Sequence, residues 1–191
     1  DRIWPRREPR DGEHLSEYFF CRRTPFSGEG MVINSGLLAR RRLFQRVPFS
    51  SGLTRHTDPD WLLRAASEPD VKLIFVADHE PLVIWNTELD RARITTQRNW
   101  RESLAFLNSH RELFTHRAYA AFALHVVGSA AAIEGDRGAF VTLLREAFAN
   151  GRPAVVDIVS HFGNFLLPLT IQRRIAASHE NRLVRRRART T

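Results

Sequence analysis

The stretch HVVGSAAAIEGDRGAFVTLLREAFANGRPAVVDIVS, residues 125–160, decides the fold of this chain. Its centre has apolar residues at helical spacing, Asp136 near the start and Gly151 at the C-cap position, and it therefore predicts a helix. The final AVVDIVS contains a single charge and predicts a buried strand, and HVVGSAAAIE is compatible with another strand. The alternation of strand, helix and strand predicts part of an α/β layer.

Upstream, the segment LTRHTDPDWLLRAASEPDVKLIFVADHEPLV predicts a short helix followed by a β-hairpin. Asp58 supplies a side-chain acceptor for free amides and the next residue is proline, so a helix is expected from Pro59 to about Ser67. Trp61, Leu62 and Ala65 would form its inward face. VKLIFVA and LVIWN are rich in β-branched and aromatic residues, and DHEP between them predicts the turn.

The rest of the chain adds helices and irregular segments to this outline. Residues 101–125 have the apolar spacing of one long or two short amphipathic helices. The predicted fold class is α+β: a small mixed domain with a short helix and a hairpin, then a helical segment and a partial α/β unit. The predicted divisions are an irregular segment 1–30 with one helical turn near 13–20, a domain 31–95, a helical and α/β region 96–172, and a basic tail 173–191.

Composition limits the class of protein. The chain has 191 residues, of which 43% are hydrophobic and 26% are charged, so it can bury a core. Cys21 is the only cysteine, which excludes an internal disulfide and a cysteine zinc cluster and predicts a reducing, cytoplasmic setting. The longest apolar stretch, residues 118–133, is shorter than the ~20 residues that span a bilayer, so no membrane span is expected. The sequence begins at Asp1 and Met31 is its only methionine, which leaves open a processed product, a fragment, or a reading frame extended upstream of its true start.

The positive charge has two interpretations. The net charge is +8 and almost all cations are arginines, which fits a phosphate-binding surface or a GC-rich coding sequence. The terminal RRRAR, residues 185–189, could contact RNA or acidic lipid. An arginine-rich nucleic-acid-binding protein is therefore one functional hypothesis, although a solvated tail is the commoner outcome for such a segment.

The segment FQRVPFSSGLTRHTDPDWLLRAASEPDVKLIFVADHEPLV, residues 44–83, resembles the N-terminal domain of the NADH pyrophosphatases, a branch of the Nudix hydrolases. The matching positions are Phe44, Pro48, Phe49, Asp58, Pro59, Trp61, Leu62, Pro69 and residues 81–83. The resemblance implies an ancestor that hydrolysed the diphosphate of NAD(H) with Mg or Mn, in a family that also binds zinc. VPFSS replaces the family's N-P-L-D-R and lacks its Asn, Asp and Arg.

The catalytic parts of that family are not found in this sequence. Neither the four-cysteine zinc ribbon nor the Nudix box is present, and the nearest candidate, Arg145 and Glu146, has Arg137 where the upstream glutamate should be. The prediction is an accessory or truncated member of the NADH pyrophosphatase lineage, not active alone, with no catalytic residue, metal or cofactor of its own. A homo-oligomer is left open.

Residues 121–160 are also similar to the closing segment of thiamine-diphosphate enzymes of the acetolactate-synthase type. In one register of that resemblance, Asp136 and Asn164 would hold the magnesium that bridges to the cofactor's diphosphate. A remnant of such a cofactor domain is therefore an alternative function. The simpler interpretation is that Asp136 caps a helix and Asn164 lies in a loop.

The spacing of the other candidate residues matches no catalytic or metal-binding motif. None of the eight histidines stands in an HExxH pair, so surface or core placement is expected. Ser129 lies in HVVGSAAA without the G-x-S-x-G frame of a hydrolase, and His125 and Asp157 complete no triad without geometry. Trp61 and Trp85 could stack on a nucleobase, but core packing is the favoured interpretation.

Overall fold

Helices build the fold in the part of the chain that the computed structural model describes. That part comprises residues 4–25, 28, 30, 33–76, 99–168, 170–172, 174, 175 and 178. Its α-helices are α1 (Leu15–Phe20), α2 (Arg41–Arg46), α3 (Thr57–Ala66), α4 (Trp100–Ser109), α5 (His116–Ala121), α6 (Gly128–Glu134), α7 (Ala139–Asn150) and α8 (Val155–Leu166). Short 3₁₀ turns cover Asn34–Gly36 and Arg111–Leu113. No sheet occurs within these residues, so the predicted α+β class is wrong.

A continuous helical rod runs through the centre of the fold. Thr115 begins it by accepting the Ala118 amide at 3.1 Å, and Gly135, with φ of 78°, ends it. Between α5 and α6 the rod passes through a π-helical segment, Phe122–Val127. Apart from His125, the side chains of this segment are apolar, and nearly all are buried, as in helices enclosed by neighbours. The strand predicted over 125–134 is therefore wrong.

The amphipathic segment 101–125 is confirmed as two helices. Asn99 caps α4 by accepting the amides of Arg101 and Glu102 at 3.1 and 3.2 Å. Phe106 and Leu107 face the core. The helical turn predicted near 13–20 is also confirmed, as α1.

Helix α3 is present with shifted ends. It starts at Thr57, and its N-cap is His56 in the left-handed region (φ 63°) rather than Asp58. Trp61 is buried as predicted, and its ring stacks on those of Phe44 and Phe49 at 4.9 and 5.4 Å. Its Nε1–H donates to the Val47 carbonyl at 2.6 Å, which satisfies the polar end of the buried ring.

The predicted hairpin after α3 is not supported. Residues 71–76 have no regular structure, and the side chains of Ile74 and Val76 are exposed. Strand backbone needs a hydrogen-bonded neighbour, and none of the described residues provides one here. The turn 78–81 and the second strand 82–86 lie outside the described residues.

At the carboxyl side, α7 is confirmed, whereas the strand predicted for AVVDIVS is wrong because these residues enter α8. The polar residues of α8 recur at helical spacing and point inward: Asp157, Ser160 and His161 are all buried. The predicted α/β layer is therefore wrong. In its place, α7 and α8 form an antiparallel pair of helices that packs on the central rod. Asp157 accepts the Ala154 amide at 2.8 Å and closes the first turn of α8.

Candidate functional site

A buried ionic network joins α5, the π-helical segment and α8. Asp157 is completely buried, and its carboxylate accepts hydrogen bonds from Nε2 of His125 at 2.7 Å and from the guanidinium of Arg117. The Ala154 amide is a third donor to the same carboxylate. A buried carboxylate with this many donors has its charge compensated, as burial requires.

The network's pKa values follow from burial and hydrogen bonding. Burial raises the pKa of Asp157, but hydrogen bonds from His125, Ala154 and Arg117 outweigh burial and hold it below its ordinary range. Burial lowers the pKa of His125 to about 4, against the opposing effect of Asp157, so the imidazole is neutral at pH 7. Nε2 therefore carries the proton that is donated to Asp157, and Nδ1 is left buried without a hydrogen-bond partner.

No triad was predicted from Ser129, His125 and Asp157, and the structure joins only two of these residues. His125 and Asp157 are hydrogen-bonded, whereas among the described contacts no hydrogen bond joins Ser129 to either of them. Cys21 lies near the network, and burial raises the pKa of its thiol to about 12, so it is protonated. The network thus surrounds one buried carboxylate with a neutral imidazole and a guanidinium cation, and its effect is to fix three segments against each other.

A half-buried histidine, His56, pairs with a serine, which the sequence did not indicate. Nε2 of His56 lies 2.9 Å from the hydroxyl of Ser103, and burial lowers the pKa of His56 to about 4. Ser103 is buried, and the His56 ring stacks on Phe106 at 4.9 Å and meets Phe122 edge to face at 5.2 Å. A hydroxyl enclosed in this way contributes to packing, because a nucleophile must be reachable by its substrate.

Asp136 fulfils the simpler of its two predicted roles. It accepts the first amide of α7, from Ala139, at 3.3 Å, and it also accepts from the side chains of Trp100 and Arg101 at 3.1 and 2.8 Å. Asn164 lies in α8, so its predicted loop position is wrong. In the described ranges, no three His, Cys, Asp or Glu side chains are grouped to hold a metal ion.

The remaining candidates are engaged elsewhere or lie beyond the described residues. Glu146 accepts hydrogen bonds from Tyr119 at 2.5 Å and Asn150 at 2.8 Å, while Arg145 is exposed. Trp61 is in the core, as favoured above. Trp85 and the RRRAR segment lie outside the described residues.

A surface concavity of about 390 Å³ lies beside the end of α7. Arg111 lines the concavity, and its guanidinium already donates hydrogen bonds to the side-chain oxygen and the backbone carbonyl of Asn150, at 2.6 and 3.2 Å. The Arg111 guanidinium is therefore engaged by Asn150 rather than directed at a ligand.

Among the described helices, the outer side of α8 carries the most exposed large apolar side chains. Val155, Val159, Phe162 and Leu166 are 76%, 50%, 42% and 69% exposed, and we call these four residues the α8 stripe. Their spacing of 4, 3 and 4 residues puts them in one line along the helix, opposite its buried polar residues. The two ionisable side chains of α8, Asp157 and His161, are both buried, so the outer side of α8 carries no charge.

Helix α7 extends the apolar surface. Val141 and Phe148 are exposed on its outer side, and the ring of Phe140 contacts that of Phe162 at 4.9 Å across the helix pair. We call the α8 stripe together with Val141 and Phe148 the α7–α8 face. Contiguous exposed apolar side chains of this kind mark interaction surfaces.

Arginines border the α7–α8 face. Arg145 lies between Val141 and Phe148 on α7, Arg152 lies in the link between the helices, and both are exposed. Arg174, beyond α8, is also exposed. Residues 173–191 contain seven arginines and one glutamate, so six of the eight net positive charges of the chain follow α8 directly.

Comparison with models of protein families, with curated proteins and with solved structures found no match to this chain. Among the described helices, none has the length and apolar character needed to cross a membrane.

Proposed function

We propose that this chain is an interaction module that binds an amphipathic helix of a partner protein on the α7–α8 face. The observation that carries the proposal is the α8 stripe, four large apolar side chains in line on the solvent side of a helix. Each Å² of apolar surface left in water costs about 25 cal/mol, and a docked helix would recover this free energy.

The spacing of the stripe favours a helix as the ligand. Apolar residues separated by 4, 3 and 4 positions have the 3.5-residue period of a coiled-coil seam, in which each side chain inserts between residues of the facing helix. Two neighbouring helices, α7 and α8, would together form the docking surface, as in other proteins that hold a helix by anchors at this spacing.

The contacts of the buried polar residues of α8 fix the orientation of the helix, so that the stripe faces solvent. Asp157 is bonded to His125 and Arg117, Ser160 donates to the Pro25 carbonyl at 2.7 Å, and Nε2 of His161 lies 3.0 Å from the Phe140 carbonyl. Rotating α8 to bury the stripe would break these contacts and leave the Arg117 guanidinium and the buried His125 imidazole without their carboxylate, at a cost of several kcal/mol. The inward polar side of α8 therefore holds its apolar side toward solvent.

Binding of designed helical peptides tests the proposal. A fluorescein-labelled peptide of about 20 residues, with leucines at coiled-coil spacing and glutamines elsewhere, is expected to bind the protein in fluorescence anisotropy. Val159→Asp or Phe162→Asp should weaken binding by at least about tenfold, because each puts a charge into the apolar contact.

A matched control separates this surface from exposed apolar residues in general. Val76 is 67% exposed and lies outside the α7–α8 face, so Val76→Asp should leave the affinity unchanged. Circular dichroism would verify that each variant is folded. The proposal fails if the peptide does not bind the wild-type protein, or if Val76→Asp weakens binding as much as Val159→Asp.

An accessory role of this kind agrees with the predicted descent from the NADH pyrophosphatases, which stays a prediction, as do the thiamine-diphosphate and nucleic-acid alternatives. Incubating the purified chain with NADH and Mg or Mn tests the first: no nicotinamide mononucleotide is expected. Metal-dependent turnover would contradict the prediction that the chain is inactive alone.

A further inference from the structure

We infer that the helix bound by the α7–α8 face is acidic along both sides of its apolar stripe and pairs with Arg145 and Arg152. This inference rests on the proposed function, since it names the chemistry of the partner that uses the same surface.

The charges around the face are of one sign. On α7, the order Val141, Arg145, Phe148 places a guanidinium between two exposed apolar side chains on one side of the helix, and Arg152 follows before α8 begins. The two acidic residues of α7 and α8 are engaged in the fold: Glu146 is bonded to Tyr119 and Asn150, and Asp157 is buried. Within the described part of these two helices and their link, the exposed charged side chains are therefore all arginines.

An arginine border selects partners by charge. Guanidinium groups pair with carboxylates through two parallel hydrogen bonds, so a helix with glutamates beside its leucines would gain both apolar burial and ion pairs. A basic helix with the same leucines would meet like charges at the edge of the contact. Charges at the edge of an interface affect specificity and association rate more than affinity, so the preference should depend on salt.

The same charges disfavour a second copy of this chain. Two copies joined through the α7–α8 face would bring the Arg145 and Arg152 side chains of both together, each copy with a net charge of +8. The narrow line of the α8 stripe also fits a helix better than a bilayer, because helices that lie in a lipid surface bury a broad apolar side.

Two charged versions of the designed peptide test the inference. With the leucines kept, one carries glutamates and the other lysines at the flanking positions. The glutamate peptide is expected to bind at least about tenfold more tightly at low salt, with the difference shrinking as salt rises. The double substitution Arg145→Gln and Arg152→Gln should remove most of this preference, measured as the ratio of the affinities for the glutamate and lysine peptides.

A control with the same loss of charge is available on α2. Arg41 and Arg42 are exposed and lie outside the α7–α8 face, so Arg41→Gln with Arg42→Gln should keep the preference for the glutamate peptide. If that control removes the preference equally, overall charge rather than the arginine border is responsible, and the inference is overturned.

The outcomes separate the inference from the proposed function. If the protein binds the glutamine peptide but has equal affinities for the glutamate and lysine peptides, the inference alone is overturned. If the protein binds none of the three peptides, both the inference and the proposed function are overturned. Binding to phosphatidylserine vesicles that Val159→Asp abolishes, without any preference among the peptides, would replace the acidic helix by a lipid surface. Dimerisation in sedimentation that Val159→Asp abolishes would replace it by a second copy.

Discussion

At the scale of single residues, Asp157 has the largest predicted effect on stability. Its carboxylate is buried and is the shared acceptor of His125, Arg117 and the Ala154 amide. Removing one member of a buried charge pair costs about 3–5 kcal/mol, because the other charge is left uncompensated. Asp157→Ala should lower the free energy of unfolding in urea by this amount.

Asp70 provides the control for this substitution. It also pairs with an arginine, Arg46, at 2.8 Å, but on the surface of the protein. Solvent screens such a pair, so Asp70→Ala should change the urea midpoint much less than Asp157→Ala. Equal effects of the two substitutions would contradict the structural role given to the buried network.

His125 should make stability depend on pH. Burial lowers its folded-state pKa to about 4, below about 6.5 in an unfolded chain, while Arg22, Arg117 and Asp157 face it. Between these pH values the unfolded chain binds the proton more readily. The stability that neutral His125 contributes is therefore complete above about pH 6.5 and is lost as pH falls toward 4, at about 1.4 kcal/mol per pH unit.

Urea unfolding of the wild type and His125→Asn between pH 4.5 and 7 would measure this slope. The variant is expected to be less stable overall and to have the shallower slope. His56, whose pKa burial also lowers to about 4, contributes a slope of the same sign and remains in the variant. An unchanged slope in His125→Asn would show that His125 does not supply the effect.

Single residues could be predicted from the sequence only where a local pattern placed them. Trp61 was expected inside because it lies on the inward side of a capped helix, and it is buried. The contact between His125 and Asp157 could not be predicted, since it joins residues 32 positions apart and depends on how two helices pack. The apolar HVV and AVVDIVS runs around them gave no local sign of a polar interior.

At the scale of elements, α8 shows why the strand predictions were wrong. A short apolar run with β-branched residues fits a buried strand and a buried helix equally well. The distinguishing pattern in α8 is in its polar residues, since Asp157, Ser160, His161 and Asn164 recur at helical spacing. It becomes visible only when the segment is followed beyond Ser160, and here the polar side faces inward.

The contact between α6 and α8 depends on a glycine. A methyl group on Gly128 would lie 2.7 Å from Nδ1 of His161, which is buried and held by its contact with the Phe140 carbonyl. Gly128→Ala should therefore lower the free energy of unfolding by about 1–3 kcal/mol, the usual cost of overpacking a core.

Gly163 is the matched position on α8. Its nearest neighbour to an added methyl group would be a Leu167 carbon at 3.9 Å, so there is room for alanine. Gly163→Ala should raise stability by about 0.5–1 kcal/mol, because alanine loses less conformational entropy in a helix. Thermal or urea unfolding of the two variants would compare them, and a stabilising Gly128→Ala would show that α6 and α8 are not in close contact.

At the scale of the whole molecule, one buried cluster joins distant parts of the chain. It includes Leu15 and Tyr18 from α1, Trp61 from α3 and residues of the central rod. The predicted irregular segment 1–30 therefore contributes to the core, which its mixture of prolines, glycines and charges did not indicate. Helical spacing predicted α3, α4, α5 and α7, but not which segments share a core, because that depends on tertiary contacts.

Tyr18 tests whether the amino-terminal segment unfolds together with the rest. Its ring is buried, packs 5.2 Å from that of Phe75, and its hydroxyl donates to the Arg7 carbonyl at 2.8 Å. Tyr18→Ala should lower the free energy of unfolding by about 3–5 kcal/mol, as expected for emptying an aromatic site in a core. Tyr18→Phe keeps the ring and should cost only about 1 kcal/mol for the lost hydrogen bond.

The cooperativity of this effect is measured with two probes of the same urea transition, far-ultraviolet circular dichroism for the helices and tryptophan fluorescence. The fluorescence reports on all four tryptophans, Trp4, Trp61, Trp85 and Trp100. If the segment containing α1 and the central rod form one folding unit, Tyr18→Ala shifts both transitions by the same amount, because a two-state protein has a single unfolding equilibrium. A helical signal that keeps its wild-type midpoint while the fluorescence transition moves would mean that the central rod is stable without α1.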